Sequence, residues 1–320
     1  MAILYRLLKI PARLAIPFYC KKMRISDPAC LAAEGPLLIA ANHPNSFLDA
    51  ILLASLFNKP IYSLARGDAF ANSFFTRLLT SMHILPVYRM SEGAQNLTTN
   101  YDTFSTCQSI FRKGGIVLIF SEGLCINEWK LRPLKKGTAR LAISCWKEGI
   151  PLRVLPTGIN YHSFRSYGKS VRLNFGKQIT QDCIDLTATE GQSIRQFNET
   201  LNQQLLPLVD HFDNETDVLR ANHYHHPVSV TKKFLLRLPA LLGKGLHAPL
   251  YLPLRQIARK KAAPDGHYDA VLIGLLFLLY PVYLLGIAVC LYLWTGHPLA
   301  FTAICLMPLL AWSWVCLKNR

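Results

Sequence analysis

The segment Asn42-His43-Pro44-Asn45-Ser46-Phe47-Leu48-Asp49 holds the residue types of acid–base chemistry. Histidine is the usual general base near neutral pH. A carboxylate within reach bonds one ring nitrogen, fixes the tautomer and stabilises the imidazolium. The other nitrogen is then free to take a proton from an alcohol. His43 and Asp49 are candidates for such a pair. On one continuous helix their six-residue separation amounts to about 240°, which would keep them apart. They meet only if His43 lies in a loop and the helix starts later, with Ser46 as its N-cap. The same residues also fit a capping box, in which Asp49 serves only the helix end. Spacing alone leaves both readings open.

Other polar groups follow apolar runs in the same way. Strands are expected at Pro36–Ala41, Ile61–Ala65, Ile84–Tyr88, Ile116–Phe120, Arg153–Thr157 and Ser170–Phe175. Helices are expected at Leu48–Leu56, Ala69–Met82, Gln95–Arg112, Leu134–Glu148 and Gln192–Asp210. This alternation predicts an α/β domain with a largely parallel sheet. In such domains ligand-handling residues sit in loops beyond the carboxyl ends of strands. Asn42 and His43 follow the first run, Arg66 the second, Arg89 the third, and Ser121-Glu122-Gly123 the fourth. A guanidinium pairs with phosphate in a bidentate fork, so Arg89 is the first candidate for an anionic substrate. Arg66 is either a second phosphate ligand or half of a surface ion pair. Lys130, Arg132, Lys135, Lys136 and Arg140 form either an anion-binding rim or a solvated helix start facing anionic lipid.

These blocks resemble the glycerolipid acyltransferase superfamily of the PlsC type, which includes lysophosphatidate and glycerol-3-phosphate acyltransferases. Asn42-His43…Asp49 is similar to its Asn-His-x4-Asp block, with one extra residue, as in the yeast-type glycerol-3-phosphate acyltransferases. Ile84-Leu85-Pro86-Val87-Tyr88-Arg89 resembles the arginine block. Phe120-Ser121-Glu122-Gly123 resembles Phe-Pro-Glu-Gly, with serine in place of proline. Val154-Leu155-Pro156-Thr157 resembles the block with a proline on a strand. The resemblance covers about residues 30 to 215. It implies an acyltransferase-like fold and direct acyl transfer from acyl-CoA or acyl carrier protein, with no cofactor. His43 would be the base and Asp49 its partner. Asn42, Arg66, Arg89, Ser121, Glu122, Gly123, Lys136 and Pro156 would serve substrate binding. Ser46 and Ser121 need not be nucleophiles.

Composition places this chemistry at a membrane. The chain has 320 residues, a net charge of +16, 51% hydrophobic residues and only 17% charged ones. The basic residues are spread out, without zinc-finger spacing, a basic zipper or an RNP-like strand, so nucleic acid is excluded as a partner. Ala270–Trp294 is an uncharged run long enough to span a bilayer, and Leu299–Leu317 is a second. Together they read as a transmembrane helical hairpin. Arg255, Arg259, Lys260 and Lys261 precede it, and Lys318 and Arg320 follow it, which predicts a cytoplasmic catalytic domain. At the N-terminus, Ile3, Leu7, Ile10 and Leu14 form one helical face and Arg6, Lys9 and Arg13 another, as in a helix lying in the membrane surface. Phe234–Leu254 is apolar but broken by Arg237, Pro239, Lys244, Pro249 and Pro253, so an interfacial or re-entrant segment is expected there. The nine cysteines include no Cys-x-x-Cys pair and predict reduced thiols. His223-Tyr224-His225-His226 lacks a carboxylate or cysteine at useful spacing, and no metal is expected.

The expected division is therefore 1–29 as an amphipathic membrane-associating N-terminus, 30–215 as the catalytic domain, 216–269 as a linker, and 270–317 as two transmembrane helices. The hairpin is expected to be a separate anchor, dispensable for catalysis. The leading acceptor is 1-acylglycerol 3-phosphate, followed by glycerol 3-phosphate and a lyso-aminolipid. A lipid hydrolase would need an activated nucleophile, and no Gly-x-Ser-x-Gly elbow is present. A catalytically silent membrane-binding module would have no need of His43, Asp49, Arg89 and Glu122 together.

Overall fold

Leu37–Ala41 and Ile116–Phe120 are unbroken apolar runs, the pattern of strands covered on both faces. In the computed structural model they form the middle of a sheet. The structure describes residues 2–70, 72–88, 97–212, 224, 228–262 and 266–318. Its strands are β1 (Cys20–Ile25), β2 (Leu37–Ala41), β3 (Ile61–Arg66), β4 (Ile84–Val87), β5 (Ile116–Phe120), β6 (Arg153–Tyr161) and β7 (Lys169–Phe175). They make one seven-stranded sheet in the order β1-β7-β6-β2-β5-β3-β4. Every neighbouring pair is parallel except β6 and β7.

The pleat divides the core in two. Leu37, Ile39 and Ala41 of β2 point to one face, where Leu52 and Leu53 of α2 (Phe47–Leu56) cover them. Leu38 and Ala40 point to the other, covered by α4 (Leu97–Arg112), α5 (Lys136–Lys147) and α6 (Glu190–Leu205). Helix α1 (Ala2–Tyr19) packs on α2, while α3 (Ser73–Ser81) follows β3 in the chain and packs on α1 and β4. The loop carrying His43 leaves β2, the central strand, so rigid neighbours flank it on both sides.

Three features of the ends differ from expectation. First, β1 pairs in parallel with β7, so the sheet takes in residues before position 30. Its sequence, Cys-Lys-Lys-Met-Arg-Ile, is an edge strand rich in charge, which hides it from an apolar-run criterion. Second, Phe234–Leu254 lies within one continuous helix, α7 (Val230–Lys261), that runs through Pro239, Pro249 and Pro253. It crosses the last helix, α9 (Ala303–Leu317), so closely that a Cβ on Gly243 would collide with the Leu310 carbonyl oxygen. Third, α8 (Tyr268–Thr295) is not separate from the domain. Its first turns bury Tyr268, Asp269 and Leu272 in the same core as α2.

Beyond those turns the tail is apolar outward. Tyr268–Thr295 and Pro298–Leu317 are long and apolar enough to cross a membrane. On α1, the expected stripe of Leu7, Ile10 and Leu14 is exposed, while Tyr5 is buried and anchors the helix by donating to Ala54 O and accepting from Ile61 N.

Candidate active site

The loop after β2 is built from the strand ends upward. Asn42 is buried, and its side chain clips the backbone of β6. Its Nδ2 donates to Ile159 O at 3.1 Å and its Oδ1 accepts from Ile159 N at 2.7 Å. Both ends are occupied, so Asn42 positions the loop rather than meeting an acceptor. His43 follows it and stacks on Phe120, ring centroids 3.7 Å apart. Ser46 then takes a left-handed φ of 50°, uncommon for a residue with a Cβ, and helix α2 starts at Phe47. This turn brings Asp49 back beneath His43.

The two residues bond directly, His43 Nδ1 to Asp49 Oδ2 at 2.9 Å. A carboxylate without its proton only accepts, so Nδ1 donates this bond, and the neutral form of the ring then keeps its lone pair on Nε2. Nε2 makes no hydrogen bond to the described residues, and the His43 side chain keeps 19% of its exposure. Asp49 is fully buried. Its Oδ2 also accepts from Asn45 N at 2.8 Å, and its Oδ1 accepts from Tyr161 OH at 2.7 Å. The capping-box alternative fails on geometry. The Ser46 side chain makes no cap bond and instead meets His267 Nδ1 at 2.7 Å.

Glu122 holds the loop from the β5 side. Its Oε2 accepts from His43 N at 2.8 Å and its Oε1 from Arg132 N at 2.9 Å. Burial raises its carboxyl above the usual range, and the two N–H bonds oppose that rise. Glutamine at this position would turn an NH2 group against one of two N–H donors. Glu122→Gln is expected to lower stability by about 1–3 kcal/mol, one unsatisfied buried group, with activity falling in step. Thermal unfolding and turnover of the purified variant check this.

The remaining candidates divide. Gly123 has φ +65°, which accounts for glycine there. Ser121 is buried, accepts from Thr138 Oγ1 at 3.0 Å, and donates its N–H to Ala41 O at 2.9 Å. It ties strand ends together and is not placed to bind substrate. A proline could not make that N–H bond. Pro156 is buried inside β6 opposite Ala40; the parts of β6 that reach the site are the Ile159 backbone and Tyr161. Arg66 is exposed at the end of β3 and paired with Asp68, the surface alternative. Lys136 is exposed at the start of α5 and lines a groove with Arg140, Glu190 and Arg195, which no residue of the His43 loop reaches. Of the other basic residues, Lys130 and Arg132 lie beside Glu128. Arg89 lies outside the described residues, as do His223, His225 and His226.

Several residues of the site carry no local sequence signal. The expected strand Arg153–Thr157 stops short of Tyr161, which the observed β6 includes. Lys169 and Asp269, both fully buried and paired, stand 100 positions apart.

The class so defined is an α/β domain with a His–Asp pair at the carboxyl ends of its central strands. Residues 22–160 match the family model described as Acyltransferase. Over 127 residues the chain is 26% identical to the 1-acyl-sn-glycerol-3-phosphate acyltransferase BAT2, chloroplastic, of Brassica napus; the match takes in 40% of this chain and 35% of that protein. The chain thus spans about a third of the length of the curated relative it matches. Among solved structures, the 1-acyl-sn-glycerophosphate (LPA) acyltransferase PlsC from Thermotoga maritima is similar with a TM-score of 0.45 and 14% identity, over 66% of this chain and 81% of that one.

Proposed function

We propose that the chain is a membrane-bound O-acyltransferase of glycerolipid synthesis that transfers a fatty acyl group from a thioester donor to 1-acylglycerol 3-phosphate. One observation carries this reading: an imidazole held by a buried carboxylate on Nδ1, its side chain still partly exposed and its Nε2 unbonded among the described residues. Nε2 takes the proton of the acceptor hydroxyl. The oxygen attacks the thioester carbonyl, the new ester forms, and the C–S bond breaks. The thiolate of coenzyme A or of acyl carrier protein leaves and takes the proton back from His43. Asp49 stabilises the imidazolium between the two transfers. The step needs no acyl-enzyme, and the hydroxyls of Ser46 and Ser121 are both engaged elsewhere.

The acceptor named by the curated relative supports a phosphorylated lysolipid as first choice. Arg89, just beyond β4, is the proposed phosphate ligand. Arg89→Lys keeps the charge and loses the fork. Losing one charge-assisted hydrogen bond should cost about tenfold or more in kcat/KM for the acceptor, with far less change for the donor. An equal loss on both substrates would assign Arg89 to structure or to the thioester carrier. Purified full-length protein in detergent, assayed for ester formation with 1-acylglycerol 3-phosphate, glycerol 3-phosphate and lyso-aminolipids against both donors, tests the whole reading. No ester with any acceptor would overturn it.

The tail is the proposed membrane anchor, with the domain on the cytoplasmic side. Two observations support one side for both hairpin ends. Asp269, at its start, is buried in the domain, and Lys318, at its end, donates from Nζ to Tyr167 O while its main-chain O accepts from Lys21 Nζ.

A further inference from the structure

The site described above is joined to the anchor through a buried polar network. Asp269, in the first turn of α8, is fully buried and has three partners among the described residues. Lys169 Nζ of β7 is its ion-pair partner; Tyr19 OH donates to Oδ1 at 2.5 Å, and Asn45 Nδ2 donates to Oδ2 at 2.6 Å. Asn45 therefore bonds two carboxylates at once. Its side chain holds Asp269, and its main-chain N–H holds Asp49. Next to it, Ser46 Oγ meets His267, and Asn127 Nδ2 bridges Pro44 O and Gly266 O. Three consecutive residues of the catalytic loop, Pro44, Asn45 and Ser46, are thus fastened to the segment that opens the tail. The left-handed turn at Ser46 needs such support, because strained backbone persists only where its surroundings over-determine it.

We propose that Asp269 is a positioning residue for His43. Through Asn45 it fixes the loop in the turn that seats the imidazole on Asp49, so the first turn of the membrane anchor is a working part of the active site. Lys169 and Tyr19 hold the carboxylate in place, and the Lys169 ammonium also lies over the rings of Tyr19 and Tyr161. This inference deepens the acyl-transfer reading and rests on it. It also replaces the expectation of a dispensable anchor: cutting the chain before α8 would remove Asp269 and leave Lys169 buried without its carboxylate.

The test uses full-length protein in detergent. Asn45→Ala removes only the side-chain link; Asp269 keeps Lys169 and Tyr19, and Asn45 N still faces Asp49. The expected result is a folded protein whose kcat falls by roughly 10²-fold, as for a small misplacement of a catalytic group, with both KM values unchanged. The downfield proton resonance of His43 Nδ1, the signature of its bond to Asp49, should weaken or vanish in the same variant. The combined replacement Tyr19→Phe, Lys169→Met, Asp269→Leu removes the polar partners together, leaving no lone charge, and should give the same loss of kcat. This triple variant decides the matter if Asn45→Ala does not fold. Unchanged kcat and an unchanged resonance would overturn the proposal. If wild-type protein transfers no acyl group at all, the acyl-transfer reading fails by itself, and the resonance still decides whether Asn45 and Asp269 place His43.

Discussion

Asp49→Asn is expected to lower kcat by about 10⁴-fold while the protein stays folded, because the amide cannot do what the carboxylate does in either orientation. Three donors converge on Asp49: His43 Nδ1, Asn45 N and Tyr161 OH. With its oxygen toward His43, asparagine keeps the ring in place but offers no charge to the imidazolium. With its NH2 group toward His43, it forces the proton onto Nε2, and the ring then has no lone pair for the acceptor. The Tyr161 hydroxyl can rotate to accept from the new amide, so part of the buried bonding survives. Single-turnover acyl transfer, read beside thermal unfolding, separates chemistry from folding. A folded variant with nearly normal turnover would show that Asp49 serves only to hold the loop, and the paired-base mechanism would be withdrawn.

The second large effect is expected at His43 itself. His43→Ala should reduce transfer by about 10²–10⁴-fold, the usual contribution of a positioned general base. The variant should fold, because Glu122 holds residue 43 through its main-chain N–H and not through the ring. It also leaves a slot between Phe120 and Asp49 that matches the lost ring. Added imidazole should therefore restore part of the rate, with Asp49 orienting the free base as it oriented the side chain. Turnover measured against imidazole concentration checks this. Full activity without imidazole would remove His43 from the reaction and leave the site without a base.

How much of this was readable before folding depends on the range of each interaction. The apolar runs of β2, β5 and β6 named the sheet because strands buried on both faces admit little else. The charge-rich β1 escaped notice because an edge strand has no such requirement. The pairing of His43 with Asp49 was legible as a possibility, since a loop followed by a helix start brings the two within reach. The sequence could not say that Ser46 would turn left-handed, nor that its hydroxyl would leave the helix cap for His267. For Asn42, Ser121 and Pro156, block membership was visible but the direction of each side chain was not. All three face strands or helices of the domain.

What the sequence determined by itself was local: residue types able to move a proton, apolar runs that become strands or long apolar helices, and basic flanks around the tail. These follow from propensity and hydrophobic pattern, which act over a few residues. Only the tertiary structure decided that Tyr161 caps Asp49, that Lys169 neutralises Asp269, and that Asn45 joins the His43 loop to the start of α8. Those pairs form because a buried charge or polar group must find a partner wherever the chain brings one, and sequence distance does not enter that requirement. The tail read as a separate piece because its helices are apolar. Its first turn is held in the domain because the carboxylate there is buried against β7, α1 and the His43 loop.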